Sequence, residues 1–237
     1  MEYVLGEIDR NIHHARIKRY ISITNTESMY FAKRMPEHLH YIESAYLSFC
    51  DGIGVVIAGR AAGKRVSRLN GPVLMERCCE YGVGRNWRHF FCGGKEGVAD
   101  LLSRRLSERF PDMITAGVCC PPFHKISAAQ EEEMIACINA AKPDMLWVGL
   151  GLLKQEAWIA RHFNQLQVPW MIGVGAAFDF FAGTARRAPK PVRDAGMEWL
   201  YRLCFEPRMF VRNVRSYVFM FQALAYEFKH SRVTRRG

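Results

Sequence analysis

The sequence predicts an α/β fold of the Rossmann-like type: a mostly parallel sheet with helices on both faces, followed by a basic C-terminal helical appendage. Three observations point there. Short apolar runs of strand character alternate with helix-like stretches over about 160 residues, the pattern of a sheet covered on both faces. Several runs end in glycines, at Gly93-Gly94, Gly149/Gly151 and Gly173/Gly175, where open parallel sheets place their ligands. Charge is unevenly spread. From Arg186 onward twelve Lys/Arg face four Asp/Glu, so the last 52 residues carry +8 of the net +10.

Taken in order, Tyr20 to Thr24 alternates apolar and polar side chains and reads as a first strand ending at Asn25. Met29 to Ser48 reads as one or two short helices, interrupted at Pro36. In Phe49-Cys-Asp-Gly-Ile-Gly-Val-Val-Ile57 an Asp-Gly pair opens a turn before an apolar run expected to be buried. Asp51 there is either a turn aspartate capping its own backbone or a carboxylate held at the sheet edge as a general base. Arg65 to Gly71 carries Arg68, and a helix follows from about Val73 to Tyr81. His89 to Cys92 is a strand running into Gly93-Gly94, before an amphipathic helix from Gly97 to Phe110. The Gly-Gly-x-x-Gly spacing is neither a dinucleotide fingerprint nor a P-loop.

Met113 to Val118 is the next strand, and Ser127 to Ala141 the next helix, with Glu131, Glu132 and Glu133 complementing its dipole. The chain is organised around Lys142 to Glu156. There a buried strand, Met145 to Val148, turns at Gly149 and Gly151 into a helix whose first turn carries Gln155 and Glu156. That helix runs to about Gln165, and Trp170 to Val174 is a further strand. Asp179, in Gly175-Ala-Ala-Phe-Asp-Phe-Phe-Ala-Gly183, is expected to be structural.

The C-terminal third differs. Arg186-Arg187-Ala-Pro-Lys-Pro is a basic loop, Gly196 to Cys204 a short helix, and Pro207 opens a long one. Along it Phe210, Val214, Tyr217, Phe221, Leu224 and Phe228 form an apolar stripe, and Arg208, Arg212 and Arg215 a basic one. Such a helix either docks on the core with solvated arginines or lies on an anionic membrane with arginines reaching a diphosphate. The expected division is an α/β core over 1–190 and a helical, membrane-associating appendage over 191–237.

Eight cysteines, with two adjacent pairs and no C-x-x-C, argue against a disulfide framework and against a zinc site, and suggest a reducing compartment. The first twenty residues carry charges throughout, unlike a signal peptide. No span reaches the roughly 18 apolar residues of a membrane helix, so a soluble or peripheral protein is expected.

Together these segments resemble the WecG/TagA/CpsF glycosyltransferases, glycosyltransferase family 26. The resemblance runs from about Ser22 to Tyr217, with its pieces in the family's order. They are Asn25, Asp51-Gly-Ile-Gly-Val-Val, Arg68-Leu-Asn-Gly71, Phe91-Cys-Gly-Gly94, Pro143-Asp144, Gly149-Leu-Gly151 and Lys154-Gln-Glu-Ala-Trp158. Gly173-Val-Gly175, Phe178-Asp-Phe-Phe-Ala-Gly183, Arg187-Ala-Pro189, Glu198-Trp-Leu-Tyr-Arg-Leu203 and Glu206-Pro207 complete the set.

The resemblance implies transfer of a sugar from a UDP-sugar to a polyprenyl-diphosphate-linked sugar, with inversion and without metal or other cofactor. It implies a peripheral protein on the cytoplasmic face of a bacterial membrane, acting in cell-surface polysaccharide biosynthesis. Asp51 matches the family's base. Asn25, Arg68, Gly94, Gly151, Gln155 and Glu156 match positions near the nucleotide-sugar or acceptor. Arg202, Arg208 and Arg212 match arginines of the family's C-terminal appendage. Three departures stand out: Leu152-Leu153 where the family usually has a proline, Asn70-Gly-Pro-Val73 in place of Gly followed by Asp-Leu, and Ile23 where many members have Thr. The partners expected are the two substrates and an anionic membrane surface, not nucleic acid, and an oligomer is left open. A basic nucleic-acid-binding protein and a nicotinamide-dependent oxidoreductase are the alternatives. The first lacks a recognisable nucleic-acid module and the second lacks G-x-G-x-x-G.

Overall fold

A computed structural model describes all residues except Ser67, 122–126, Gly196, 206–208 and 235–237, and no side chain of Asp194, 202–213 or 227–234. The chain folds into two compact units. A six-stranded sheet of order β2-β1-β6-β5-β3-β4 is built from β1 (Arg19–Thr24), β2 (Leu47–Cys50), β3 (Arg88–Gly93), β4 (Ile114–Cys119), β5 (Met145–Gly149) and β6 (Trp170–Gly173). Every described register is parallel, with Met145 beside both His89 and Trp170. This is the α/β architecture expected from the alternation.

The first unit comprises Met1–Ser22, Ser44–Leu47 and Gly71–Arg186. Its strands β3, β5 and β6 are buried almost end to end, which is why they read as continuous apolar runs rather than alternating ones. Phe90, Phe91, Trp147, Trp170 and Phe178 fill its centre. Around the sheet lie α5 (Gly71–Gly82), α6 (Val98–Arg109), α7 (Ala128–Ala140), α8 (Lys154–His162) and α9 (Ala177–Ala182). Ser127 and Gln130 close a reciprocal capping box on α7. An N-terminal helix, α1 (Glu2–Arg10), has no counterpart among the sequence expectations. It buries Val4, Leu5 and Ile8, and the Ile8 carbonyl accepts from the Trp170 indole at 3.3 Å.

The second unit comprises Ile23–Glu43, Ser48–Asn70 and Arg187–Gly237. It holds α2 (Thr26–Ala32), α3 (Pro36–Glu43), α4 (Ile53–Ala61), α10 (Lys190–Asp194), α11 (Glu198–Phe205) and α12 (Met209–Thr234). Two sequence expectations fail around β2 and α4. Leu47 and Ser48 belong to a strand rather than to a helix end, and the run after Asp51-Gly52 is a helix with Ile57 exposed rather than uniformly buried. Both stretches are too short and too apolar for period alone to separate helix from strand.

Within this unit α12 packs on α2 and α4. Its inward side presents buried Phe219 and the Arg215 guanidinium, 3.2 Å from the buried Glu27 carboxylate of α2. Arg215 is therefore an ion-pair partner of α2 while 41% of its side chain stays exposed to solvent. Val214, Tyr217 and Phe221 of the apolar stripe face outward, Phe221 at 71% exposure. Among the described residues no helix is long and apolar enough to cross a membrane.

Candidate active site

In the second unit the structure brings Asn25, Asp51 and Arg68 together by backbone pairing. The Asp51 amide donates to the Thr24 carbonyl at 2.8 Å, so Asp51 sits beside the end of β1 and next to Asn25. On its other side Cys50 forms a parallel bridge with Arg68, and the Leu69 amide donates to the Cys50 carbonyl at 3.0 Å. Three residues separated by up to 43 positions thus meet at the C-terminal edges of β1 and β2.

Asn25 caps α2: its Oδ1 accepts from the Ser28 amide at 2.9 Å. The Ser28 hydroxyl in turn lies 2.7 Å from His38 Nε2, and burial lowers the pKa of that imidazole. The Nδ2 amide of Asn25 makes no hydrogen bond with the described residues, which leaves it as a donor. Gly52 opens α4 directly after Asp51, so the positive end of that helix lies at the aspartate. Ser28 and His38 were not singled out by sequence reasoning. The available signal was a serine at the third position of a helix opened by asparagine.

In the first unit Gly94, Gly151, Gln155 and Glu156 cluster at the C-terminal ends of β3, β5 and β6. Gly94 (φ +77°) donates its amide to the Gly149 carbonyl at 2.9 Å. Gly151 (φ +87°) has open space where a side chain would stand. Gln155 is buried and spends both ends of its amide internally. Its Oε1 accepts from the Gly175 amide at 3.0 Å, and its Nε2 donates to Glu156 Oε1 at 3.0 Å. Gln155 thus braces the turn after β6, and Gly173 is what admits it: a Cβ there would lie 2.8 Å from Gln155 Nε2.

Glu156 is 5% exposed, and its Oε2 has no hydrogen-bond partner among the described residues. Burial raises its pKa to about 7, against the opposing effects of backbone amides and Gln155. The helix carrying both residues starts at Leu153, whose φ of +68° is left-handed. A leucine there costs on the order of 1 kcal/mol, within the Leu152-Leu153 pair noted above as a departure. Proline, fixed near −65°, could not adopt this backbone.

Other polar residues singled out in the sequence have neighbours of their own. Asp144 accepts from Arg16 at 2.8 Å and from the Arg88 amide at 2.9 Å, tying the entry of β3 to the N-terminal segment. Asp179 accepts from the Thr184 hydroxyl at 3.1 Å just beyond α9. Glu131 lies 3.1 Å from His162 and 3.4 Å from Arg161. Arg208 lies outside the described residues, as do the side chains of Arg202 and Arg212. Among the described residues no three His, Cys, Asp or Glu side chains converge as metal ligands.

Residues 1–233 match the model of the glycosyl transferase WecG/TagA/CpsF family. The chain is also similar to proteins of Staphylococcus aureus strains NCTC 8325, COL and MRSA252, each named N-acetylglucosaminyldiphosphoundecaprenol N-acetyl-beta-D-mannosaminyltransferase. Each is 29% identical over 204 residues, covering 86% of this chain and 78% of the relative.

Proposed function

The chain belongs to the WecG/TagA/CpsF family of glycosyl transferases, and on that premise we propose that it moves a sugar from a UDP-sugar to a polyprenyl-diphosphate-linked sugar. The acceptor class follows from the relatives, which are named for an N-acetylglucosaminyl-diphosphoundecaprenol acceptor. Their names also specify a β-linked product. From a donor whose diphosphate is α-linked, a β product means inversion at the anomeric carbon. Inversion needs one carboxylate to take the acceptor proton and no covalent intermediate. The reaction is assigned to the cytoplasmic face of the membrane, in cell-surface polysaccharide assembly.

The observation that carries the reading is the position of Asp51, held between the ends of β1 and β2 with Arg68 paired beside its neighbour. In the proposed step the Asp51 carboxylate accepts the proton of the acceptor hydroxyl. The hydroxyl oxygen bonds the anomeric carbon opposite the diphosphate, and the carbon–oxygen bond to UDP breaks with its electron pair on the leaving phosphate. Arg68 and the free Asn25 amide supply positive charge and a hydrogen-bond donor on the same unit. The charge developing on the diphosphate is assigned to arginines, with Arg202, Arg208 and Arg212 proposed among them, and to backbone amides. The open Gly151 turn is proposed to receive the nucleotide, with Gln155 and Glu156 positioning it. The outward face of Val214, Tyr217 and Phe221 supports a membrane-facing α12.

The test is acceptor-dependent UDP release from a panel of UDP-sugars, with EDTA present. Asp51→Asn should lower turnover by roughly 100- to 10,000-fold, the range of a lost general base. Unchanged turnover in a folded Asp51→Asn protein would remove Asp51 from that role.

A further inference from the structure

The far end of α4 carries a second basic feature, unconnected with any family motif quoted above. Arg60, Lys64 and Arg65, with Val66, line an open recess of about 500 Å³ in the second unit. Its construction is local. Helix α4 ends in a Schellman motif, with the Gly63 amide donating to the Arg60 carbonyl at 3.0 Å and the Lys64 amide to the Gly59 carbonyl at 2.9 Å. Gly63 stands at φ +71°, the left-handed position this cap requires. The chain then folds back so that Val66 closes on Gly59, where an added Cβ would meet it at 3.0 Å. The three cations are therefore carried on a fixed corner.

All three side chains are exposed, and none has an ion-pair partner among the described residues. Residues 53–70 contain four Lys/Arg and no Asp or Glu. Cations at a helix C-terminus complement its dipole, but that effect fades within the last turn. It accounts for Arg60 and not for Lys64 and Arg65 beyond the cap. Nine helical residues, about 13 Å of axis, separate the recess from Asp51 at the opposite end of α4. One turn before Arg60 on the same helix, Ile57 is an aliphatic side chain at 41% exposure. Free cations flanking an exposed aliphatic side chain suit the boundary of an anionic bilayer.

We propose that the Arg60–Lys64–Arg65 recess binds the phosphate of an anionic phospholipid headgroup and so seats the second unit on the membrane. This deepens the peripheral-membrane reading above and rests on it. It assigns membrane contact to a site outside the C-terminal helices.

The experiment is flotation of the full chain with vesicles of phosphatidylcholine alone or mixed with phosphatidylglycerol, at fixed salt. The wild type is compared with Arg60→Gln, Lys64→Gln and Arg65→Gln combined, and with the charge-conserving set Arg60→Lys, Lys64→Arg and Arg65→Lys. The wild type should favour the anionic vesicles. The neutral triple variant should bind them roughly a hundredfold more weakly, with an unchanged unfolding midpoint, and the charge-conserving set should retain binding. Equal binding by the wild type and the neutral variant would overturn the recess while sparing the membrane reading. A wild type indifferent to phosphatidylglycerol would overturn both. Tight binding of inorganic phosphate that the neutral variant loses, with vesicle binding unaltered, would reassign the recess to free phosphate and overturn the headgroup assignment.

Discussion

Replacing Glu156 with Gln should abolish a specific pH dependence of stability. The carboxyl is buried, one oxygen has no partner among the described residues, and its pKa rises from 4.5 to about 7. Because the folded state holds this proton more tightly than the unfolded state, its contribution is fully present below about pH 4.5. It is lost as pH rises through 7, and above that the buried carboxylate has only the partial compensation of Gln155 and nearby backbone amides. At about 1.4 kcal/mol per pH unit, the loss is roughly 3 kcal/mol as an upper figure. Glutamine imitates the protonated carboxyl and keeps an oxygen to accept from Gln155 Nε2, but it cannot ionise. The assay is urea denaturation of both proteins from about pH 5 to about pH 8, followed by the intrinsic fluorescence of the five tryptophans. Other titrating groups are common to both, so the difference between the curves isolates Glu156. The variant should gain on the wild type as pH rises and hold that gain above pH 7. Parallel curves would show that the carboxyl ionises without penalty and would refute the burial argument.

Two further substitutions test the first unit. Gly173→Ala places a methyl group against the amide of Gln155 and should cost about 1–3 kcal/mol through overpacking. If Gln155 positions the nucleotide, the same variant should raise KM for the donor more than it lowers kcat, measured with a saturating donor; an unaltered KM would make Gln155 a purely structural brace. Asp144→Ala strips the partner from the Arg88 amide and the Arg16 guanidinium and should destabilise by about 2–3 kcal/mol in thermal or urea unfolding. Asp144→Asn, which keeps an acceptor, should cost less, and equal losses would mean that the charge rather than the hydrogen bond matters.

The sequence alone determined the α/β class, the positions of β3 to β6 and the family. Each rests on local information: runs of buried residues, glycines at strand ends, and short motifs in a fixed order. It also singled out Asp51 and Arg68 as candidates, although nothing local separated a general base from a turn aspartate, and their pairing at the ends of β1 and β2 is seen only in the fold. Tertiary structure decided what each polar group does. Asn25 has one end of its amide committed to a helix cap and the other free, whereas Gln155 has both ends committed, a difference set by where Ser28 and Gly175 arrive in space. Asp144 is structural because Arg16, 128 positions away, reaches it. Arg215 and Phe221 lie on one amphipathic helix, yet the first faces Glu27 and the second faces outward. Periodicity reports that a helix has two faces. Which face is buried depends on what packs against it, and only the folded chain supplies that partner.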